Sequence, residues 1–293
     1  MQRTFCQRLS LKILRGLRPY LSDRLYLQLV FRVRMGYKLN LDEPATYSEK
    51  LQWLKLNDRH LEYSDYVDKI RVKEYVASKI GESHVIPTLG IYNSVEEIDF
   101  STMPNRWVLK TSHDSGGVFI CKDNSSVSAT QIYNAIGKNW MNNYFKYNLE
   151  YPYANVTPRL LVEAYIEDES GYELKDYKFF CFNGEPKFLF VATDRSAKCE
   201  TKFDFFDLDW NHLPIINGHP NSLKELFKPD NFDEMINIAK ILSRGFRHVR
   251  VDLYNVKGKI YFGELTFFHF SGMEPFEPID WDYKLGEYLE IHR

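Results

Sequence analysis

The chain has 293 residues, of which 44% are hydrophobic and 16% aromatic, enough to form a substantial core divided among one to three domains. Its formal net charge of −2 provides no broad basic surface, so nucleic acid is not an expected partner. No apolar run approaches the roughly 18 residues of a membrane span, and no segment resembles a cleaved signal peptide. The chain is therefore expected to stay in the cytoplasm.

Residues 1–40 are strongly basic. They contain nine lysines and arginines but one acid, Asp23, which gives a local charge of +8. Leucine and isoleucine recur among these charges at helical spacing. An ordinary solvated helix pair packed on the domain is the favoured interpretation. The alternative is an interfacial helix that contacts anionic lipid or another protein.

Cysteine usage agrees with a reducing compartment. Cys6, Cys121, Cys181 and Cys199 form no C-x-x-C pair, and the last three lie in apolar or strand-like surroundings. Such thiols are expected to be reduced and mostly buried. A disulfide framework and a metal-thiolate site are both unsupported.

The predicted elements follow one another in blocks. Residues 46–80 predict two helices, the first capped by Thr46 or Ser48 and the second, 69–80, ending at Gly81. Strands are predicted at 107–112, 118–122 and 159–166, as a pair within 177–192 joined at NGEP, and as a hairpin over 248–267 turning at Gly258. Further helices are predicted at 128–147, 231–244 and near 283–290. This arrangement indicates an α+β fold and not a parallel doubly wound sheet.

Two acids interrupt the strongly β-forming run 246–272. Arg250 and Asp252 are predicted to share one face of the first strand, and Phe262, Glu264 and Thr266 one face of the second. A register that keeps even numbers opposite even numbers places the two carboxylates about 5–8 Å apart. Two carboxylates with a nearby hydroxyl are typical ligands of Mg²⁺ or Mn²⁺. The alternative is that Arg250 neutralises Asp252 on a solvated sheet face.

The segment KTSHDSGGV, residues 110–118, is a candidate phosphate-binding loop. Lys110 ends one strand, and paired glycines turn the chain into the next, so that backbone N–H groups can approach phosphate oxygens. No G-K-[ST] opens a helix after it, so it is not a Walker loop. A plain hairpin turn is the alternative.

The segment LLVEAYI, residues 160–166, is a candidate adenine-binding strand. Backbone groups of residues 164–166 could pair with an adenine edge, and the acids that follow could hold ribose hydroxyls. Glu163 lies in an otherwise apolar run, where a charge is costly without a partner. The alternative is a strand-end acid that faces solvent.

Taken in order, these segments resemble the ATP-grasp fold, and specifically the TupA-like ATP-grasp family of bacterial surface-polysaccharide gene clusters. The resemblance covers about 41–290 and rests on LDEPATYSEKLQWLKLND, Lys73 in a helix, WVLKTSHDSGGV, LLVEAYI, DYKFFCFNGEPKF and RVDLYNVKGKIYFGELTFFHFSG. It implies ATP held between two α+β subdomains, 69–163 with the glycine-rich loop and 164–293 with the metal site, after a basic helical segment 1–68.

The resemblance also implies residue roles. Lys110, Lys178 and Arg250 would act on the phosphates during catalysis. The nucleotide would be held by Lys73, Lys110, Ser115, Gly116, Gly117, Glu163, Ala164, Tyr165, Ile166, Asp176 and Lys178, and the metal by Asp252, Glu264 and Thr266. Many ATP-grasp enzymes have Glu-x-Asn where this chain has Glu264-Leu-Thr266. The weaker hydroxyl ligand implies a second ion held less tightly or through water.

The implied activity is an ATP-dependent carboxylate–amine ligase that works through an acyl phosphate. The genomic context of the family suggests two substrates: a uronic-acid carboxylate on a saccharide or lipid-linked saccharide, and a small-molecule amine. The same context suggests a polysaccharide-assembly protein as another partner of residues 1–40. A capsule glycosyltransferase using a nucleotide sugar is the alternative, and an ATP-binding module without turnover is a third. Asp207-Leu208-Asp209 and Asp280-Trp281-Asp282 fit the D-x-D motif of such transferases, but about 1.2 such pairs are expected by chance.

Overall fold

A computed structural model describes residues 4–114, 116–137, 140–141, 145–171, 173–195 and 199–291. Its α-helices are α1 (Phe5–Leu17), α2 (Asp23–Met35), α3 (Tyr47–Asn57), α4 (Tyr63–Val67), α5 (Val72–Ile80), α6 (Ala129–Ile136), α7 (Phe145–Asn148), α8 (Phe232–Ser243) and α9 (Asp280–Tyr288). Its strands are β1 (Thr88–Tyr92), β2 (Trp107–Thr111), β3 (Val118–Cys121), β4 (Leu160–Ala164), β5 (Asp176–Phe182), β6 (Glu185–Thr193), β7 (Lys202–Asp207), β8 (His212–Leu213), β9 (Ile216–Asn217), β10 (His248–Val256), β11 (Lys259–Thr266) and β12 (Phe276–Glu277).

The first sheet has the order β1-β4-β2-β3, and each neighbouring pair is antiparallel. Residues alternate along β2, so that Trp107 and Leu109 are fully buried on one face. They pack against Ile132 of α6 in a compact core of their own. Lys110 is therefore directed to the opposite face of this sheet.

The second sheet has the order β11-β10-β5-β6-β7-β8 and is also antiparallel. β5 is buried along its whole length, including Asp176 and Lys178, and its residues 179–182 are continuously apolar. One face packs against α8 through Phe232 and Phe179, whose rings lie 5.8 Å apart. The other face carries Arg250 and Asp252. Two antiparallel sheets with helices in separate blocks confirm the predicted α+β class.

The N-terminal helices differ in burial. α2 buries Tyr26, Leu27, Val30, Phe31 and Met35, whereas α1 buries none of its residues. Leu11 and Leu14 of α1 rest on the core that α2 forms with Leu149 and Met273. In the described part of the chain, no helix combines the length and the apolar character needed to cross a membrane.

Several predicted elements need correction. Residues 46–80 form three helices instead of two, although Thr46 caps the first as predicted and Gly81 ends the last. The predicted helix 128–147 is divided: α6 ends at Gly137, where φ is +82°, and α7 is a separate turn. The terminal helix begins at Asp280, earlier than the predicted 283.

The hairpin of β10 and β11 turns at Lys257 and Gly258, as predicted, but it contains a bulge. Asp252 pairs with Glu264, and Leu253 pairs with Phe262, so Gly263 is the extra residue. The prediction that Phe262 shares a face with Glu264 is therefore wrong. The bulge turns Phe262 into the apolar core and leaves Glu264 on the face of Asp252.

Candidate functional site

Glu163 lies at the centre of a lysine cluster on the first sheet. Its carboxylate is 2.5 Å from Lys73 Nζ and 2.7 Å from Lys110 Nζ, and its side chain is almost fully buried. Lys110 reaches it because β2 and β4 are adjacent, with Val108 directly opposite Glu163. Lys73 comes from α5 and also donates to the carbonyl of Ile86 at 2.7 Å. The structure therefore brings these three predicted residues together.

These charges perturb one another. Burial opposes ionisation of Glu163, but Lys110 and Lys73 outweigh it and lower its pKa. Burial likewise opposes the charge of Lys110, yet Glu163 raises the pKa of this lysine. For Lys73 burial prevails over Glu163, and the pKa is lowered. The cluster is thus a buried carboxylate held by two cations of unequal basicity.

Two hydrogen bonds stabilise the loop after β2. Thr111 N–H donates to Gly117 O at 2.9 Å, and Lys69 Nζ donates to the carbonyl of Asp114. Gly117 is buried, and a Cβ there would lie 2.1 Å from Thr111 Oγ1. Gly116 is exposed with φ +103° and open space around it. Gly116 alone can therefore be substituted without a steric clash; Ser115 lies outside the described residues.

At the end of β4, one backbone group in the segment predicted to contact adenine is already paired within the protein. The N–H of Ala164 donates to Pro87 O at 2.9 Å and is thus committed to the protein. The ring of Tyr165 lies 4.7 Å from the Arg106 guanidinium, and Ile166 follows it in half-buried backbone. The Glu163 side chain forms ion pairs with Lys73 and Lys110. The contact of backbone groups of Ala164, Tyr165 and Ile166 with adenine stays a prediction.

On the second sheet, Asp252 and Glu264 lie directly across the hairpin, in the predicted register. Arg250 holds Asp252 in a bidentate contact, with both donor–acceptor distances 2.7 Å. Lys178 on β5 is opposite Asp252 and donates to it as well. Arg250 therefore supplies the positive charge between the two acids, because its Nη2 contacts both.

Three oxygens converge on one nitrogen of Arg250. Its Nη2 lies 2.7 Å from Asp252 Oδ2, 3.3 Å from Glu264 Oε1 and 3.1 Å from Thr266 Oγ1. These oxygens belong to the three predicted metal ligands. The guanidinium therefore occupies the centre of an oxygen-lined site for positive charge. We call Arg250, Asp252, Glu264 and Thr266 the arginine cluster.

A buried histidine supports Arg250 from behind. Because a guanidinium only donates, the 2.6 Å contact of Arg250 Nη1 with His269 Nδ1 makes this nitrogen the acceptor. His269 Nε2–H then donates to Asn217 Oδ1 at 2.8 Å. Burial, with Arg250 and Lys178 beside the ring, holds the pKa of His269 well below its usual range. His269 is therefore a neutral anchor for the guanidinium.

Asp176 extends the cluster along β5. Its Oδ2 lies 2.6 Å from Lys178 Nζ and 2.8 Å from Arg195 Nη1. Its Oδ1 is buried and has no hydrogen-bond partner in the part of the chain that the structure describes. A free acceptor at this position is compatible with the predicted hydrogen bond to a ribose hydroxyl.

The two opposed carboxylates are not equivalent. Burial raises the pKa of Asp252 to about 6, against the effect of Arg250 and Lys178. Burial also opposes ionisation of Glu264, but Lys178, Lys69 and Arg250 outweigh it and lower the pKa to about 2. Glu264 remains 35% exposed, whereas Asp252 is 1% exposed. Glu264 is therefore more accessible than Asp252, and it stays ionised to a lower pH.

The donor set fits a hard divalent cation. Among the described residues, no group of three or more His, Cys, Asp or Glu is placed to hold a metal ion by itself. Two carboxylates and a hydroxyl that already surround one positive nitrogen provide oxygen ligands of the type Mg²⁺ prefers. Asp252, Glu264 and Thr266 would hold such an ion once Arg250 has moved aside, with water and phosphate oxygens completing its coordination.

The lysine cluster and the second sheet face each other. A space of about 10 Å³ between them is lined by Lys69, Lys73, Lys110 and Glu163 on one side and by Phe262 and Gly263 on the other. Lys69 and Lys110 are close enough to Glu264 for their charges to interact. Anionic groups bound between the two sheets would contact cations of the lysine cluster and of the second sheet.

Neither D-x-D pair forms a site of this kind. Asp207 accepts hydrogen bonds from the backbone N–H groups of Asp209 and Asn211, which shape a tight turn. Asp282 is buried and accepts from the N–H of Ser48 at 2.9 Å. Both aspartates thus have local structural roles.

The sequence did not reveal four participants: Lys69, Arg195, His269 and Asn217. Lys69 precedes α5 and reaches the loop because its own N–H donates to Ser112 O at 3.1 Å. His269 could have been suspected, because it follows Glu264 by five residues in an apolar run. Nothing in the sequence near Arg195 or Asn217 indicated that they approach the site.

The sequence matches the model of the TupA-like ATP-grasp family over residues 49–290. No curated protein matches it.

Similar solved structures include D-alanine–D-alanine ligase from Bacillus anthracis complexed with ATP, with 13% identity, 69% of this chain and 53% of that chain covered, and a TM-score of 0.42. The Helicobacter pylori D-alanine–D-alanine ligase has 13% identity, coverage of 84% and 70%, and a TM-score of 0.44. The ATP-grasp ligase PsnB complexed with minimal precursor, Mg and ADP has 11% identity, coverage of 91% and 66%, and a TM-score of 0.37. The chain spans about half the length of the first of these proteins.

Proposed function

This chain belongs to the TupA-like ATP-grasp family, and from that premise we propose that it is an ATP-grasp ligase, which joins a carboxylate to an amine at the expense of ATP. The convergence of three oxygens on Arg250 Nη2, opposite a cluster of lysines, carries the proposal. In this assignment ATP lies between the subdomains 69–163 and 164–293, which follow the N-terminal segment 1–68. Its adenine lies at the end of β4 and its ribose at Asp176.

The reaction requires an electrophilic carboxyl group. The acceptor carboxylate attacks the γ-phosphorus of ATP, the bond to the β–γ bridging oxygen breaks, and ADP leaves with an acyl phosphate remaining. The amine then attacks the acyl carbon, phosphate leaves, and the amine loses a proton to form the amide. In each step negative charge develops or shifts on oxygen atoms. Preorganised cations that stabilise this charge are therefore the main contribution that a protein can make to catalysis.

The residues present supply those cations. Lys110 from the first sheet, and Lys178 and Arg250 from the second, stabilise charge on the phosphoryl oxygens, while backbone N–H groups of residues 115–117 and Lys73 hold the phosphates. Bound Mg²⁺, or Mn²⁺, would neutralise phosphate charge at Asp252, Glu264 and Thr266. Phosphates draw Arg250 and Lys178 away from Asp252, which frees the carboxylates for the metal.

The finer assignment is that the acceptor is a uronic-acid carboxylate of a bacterial surface or capsular polysaccharide, or of its lipid-linked precursor, with an amino acid or another small amine as the second substrate. It rests on the surface-polysaccharide gene clusters in which members of this family are found, and not on a residue of this chain. The alternative, a glycosyltransferase using a nucleotide sugar, has less support because Asp207 and Asp282 are engaged in local structure.

The test is ADP release by the full chain with ATP and Mg²⁺, screened against pools of carboxylates and amines. The proposal expects release that requires both a carboxylate and an amine. Consumption of a nucleotide sugar without any use of ATP would contradict it and support the glycosyltransferase.

We also propose that α1 contacts the anionic inner face of the cell membrane. Phe5, Leu9, Ile13 and Leu17 form an exposed stripe on α1, and the exposure reaches 73% at Phe5. Basic residues interleave the stripe, and no acid occurs before Asp23. An apolar stripe among cations suits anionic lipid.

Vesicle co-sedimentation tests this contact. The full chain is expected to bind phosphatidylserine-containing vesicles in a salt-sensitive manner, and Leu9→Ser with Ile13→Ser should abolish binding. Leu61→Ser, at another exposed leucine, is the control. Binding that the double variant retains would refute the membrane contact, and an assembly protein would then be the better candidate partner.

A further inference from the structure

A cavity of about 350 Å³ is lined in part by Arg250, Glu264 and Thr266 of the arginine cluster, and several of its other lining side chains are charged. The ionic side chains that line it are four cations and two carboxylates: Arg34, Lys178, Arg195, Arg250, Glu150 and Glu264. The lining cations outnumber the lining carboxylates by two, so an anion in the cavity would contact more positive than negative side chains. Asp252, Asp176 and Glu274 also pair with these cations. The volume is in the usual range for a small-molecule site.

One wall of the cavity is a backbone segment in an unusual conformation. Phe270 and Ser271 have φ values of +46° and +60°, in the left-handed region that residues other than glycine rarely adopt. Such a conformation persists where neighbouring groups enforce it, and it is concentrated at functional sites. Here it directs the segment His269–Gly272 towards the cavity.

The enforcing groups come from α3. Gln52 Nε2 donates to the carbonyls of Ser271 and Gly272 at 3.0 and 2.9 Å. Lys55 Nζ, which is fully buried, donates to Ser271 O at 2.9 Å and to Ser271 Oγ at 2.7 Å. The polar residues of this helix therefore fix the shape of the cavity wall.

Glu150 provides an unused acceptor in the same wall. Its side chain is buried, with the residue 3% exposed, and its Oε1 has no hydrogen-bond partner among the residues that the structure describes. Burial raises the pKa of Glu150, while the nearby Lys55 charge opposes the shift. A buried acceptor without a donor is costly, so a ligand that supplies an N–H or O–H would be favoured.

Arg34 brings the N-terminal segment into the cavity. It projects from α2, and its Nη2 lies 3.6 Å from a carboxylate oxygen of Glu274. Aromatic rings form another part of the wall, where Phe203 and Phe270 stack with centroids 6.0 Å apart. The cavity thus combines cations, one buried acceptor and an apolar face.

Resting on the proposed ligase function, we propose that this cavity binds the acceptor acid, and that this acid also carries hydroxyl or ammonium groups. The cations of the wall attract its carboxylate towards the arginine cluster, Glu150 accepts a hydrogen bond from the hydroxyl or ammonium group, and Arg34 is a specificity-determining residue. The aromatic wall contacts the carbon skeleton. Sugar acids and amino acids share this chemistry.

Calorimetry on the full chain, loaded with Mg²⁺ and a non-hydrolysable ATP analogue, tests the proposal. Glucuronate, alanine and cyclohexanecarboxylate serve as probes, since the last one has a carboxylate without a donor group. Glucuronate or alanine is expected to bind at least about tenfold more tightly than cyclohexanecarboxylate. Preference for glucuronate would indicate a sugar acid, and preference for alanine an amino acid.

Glu150→Gln should remove most of this preference, and Arg34→Gln should weaken binding of the preferred acid about tenfold. Arg24→Gln, at an exposed arginine of the same helix, is the matched control. Thermal melts check folding, and Arg34→Gln remains informative if the Glu150 variant does not fold. Equal binding of the three acids, absence of acid binding, or variants with unchanged affinity would overturn the proposal. Failure of the ATP analogue itself to bind would instead overturn the proposed function.

Discussion

The lysine cluster and the arginine cluster use the same chemistry in different ways. Both pair a carboxylate with cationic side chains, Lys73 and Lys110 at Glu163 and Arg250 at Glu264. Glu163 is almost fully buried in a space of about 10 Å³, whereas Glu264 is 35% exposed beside a cavity of about 350 Å³. The first arrangement has little room to rearrange. The second can exchange its internal cation for an external one.

The comparison shows what an ion pair contributes in each place. A buried carboxylate with two lysines around it is costly to break, since removing it leaves unpaired charge in a poorly solvated region. A partly exposed carboxylate beside a guanidinium that another acid already holds contributes little to stability. The lysine cluster thus stabilises the arrangement of the first sheet, whereas the arginine cluster can bind an external cation.

The largest effect is expected at Glu163. Glu163→Gln leaves Lys73 and Lys110 without their shared partner and should lower the free energy of unfolding by about 3–5 kcal/mol. Urea denaturation of the ligand-free protein measures this loss. A variant as stable as the wild type would show that the lysine cluster does not hold the first sheet in place.

Glu264→Gln should behave in the opposite way. The free energy of unfolding should change by less than about 1 kcal/mol, because Asp252 still holds Arg250. Turnover in ADP release should fall by about 10²-fold or more, because a contact to developing charge is lost. A destabilised but fully active variant would make Glu264 a structural partner of Arg250.

The loop that joins β2 and β3 is tested by Gly116→Ala. Gly116 has φ +103° and open space around it, so an added methyl group strains the loop backbone without a steric clash. ATP affinity should fall by roughly tenfold, about 1.4 kcal/mol. Gly258→Ala is the matched control, because Gly258 also has positive φ and open space. Equal affinities would make the loop a simple turn.

The smallest effect concerns His248, a second buried histidine, at the start of β10. His248 donates from Nδ1 to Cys181 O at 3.0 Å and accepts from the Tyr47 hydroxyl at 2.9 Å. Burial lowers its pKa to about 3. This folded-state pKa is below the value of about 6.5 expected in the unfolded chain. Neutral His248 therefore contributes its full stabilisation above about pH 6.5, and this contribution is lost as the pH falls towards 3.

Between pH 6.5 and 5.5 this histidine should remove about 1 kcal/mol from the free energy of unfolding. Denaturation at both pH values, with His248→Gln and the half-exposed His60→Gln, isolates the contribution. Only the His248 variant should show a weaker pH dependence. An identical pH dependence in the wild type and the His248 variant would contradict the assignment.

The sequence predicted much of the fold and the pairing of the acids. Strand-like runs of β-forming residues located β2, β4 and the hairpin, and even-numbered spacing placed Asp252 opposite Glu264. The bulge at Gly263 could not be predicted, because it involves close contacts across the hairpin: a Cβ at this position would lie 3.1 Å from Asp252 O and 3.2 Å from the Tyr254 ring. Patterns along a strand do not report such contacts.

The partners of the site residues were harder to predict. The sequence suggested that Arg250 acts on phosphates, but which groups an arginine contacts depends on what is bound. Glu150, Gln52 and Lys55 gave no signal, since their roles arise from distant segments that meet at residues 269–272. Binding residues on α3 could not be separated from an ordinary polar helix face.

Mn²⁺ binding, followed by electron paramagnetic resonance, tests most directly whether the arginine cluster is a metal site. With the ATP analogue present, the wild type should bind Mn²⁺, Glu264→Gln should bind it at least about tenfold more weakly, and Asp209→Asn should match the wild type. Equal Mn²⁺ affinity in the wild type and Glu264→Gln would contradict the assignment of Asp252, Glu264 and Thr266 as metal ligands.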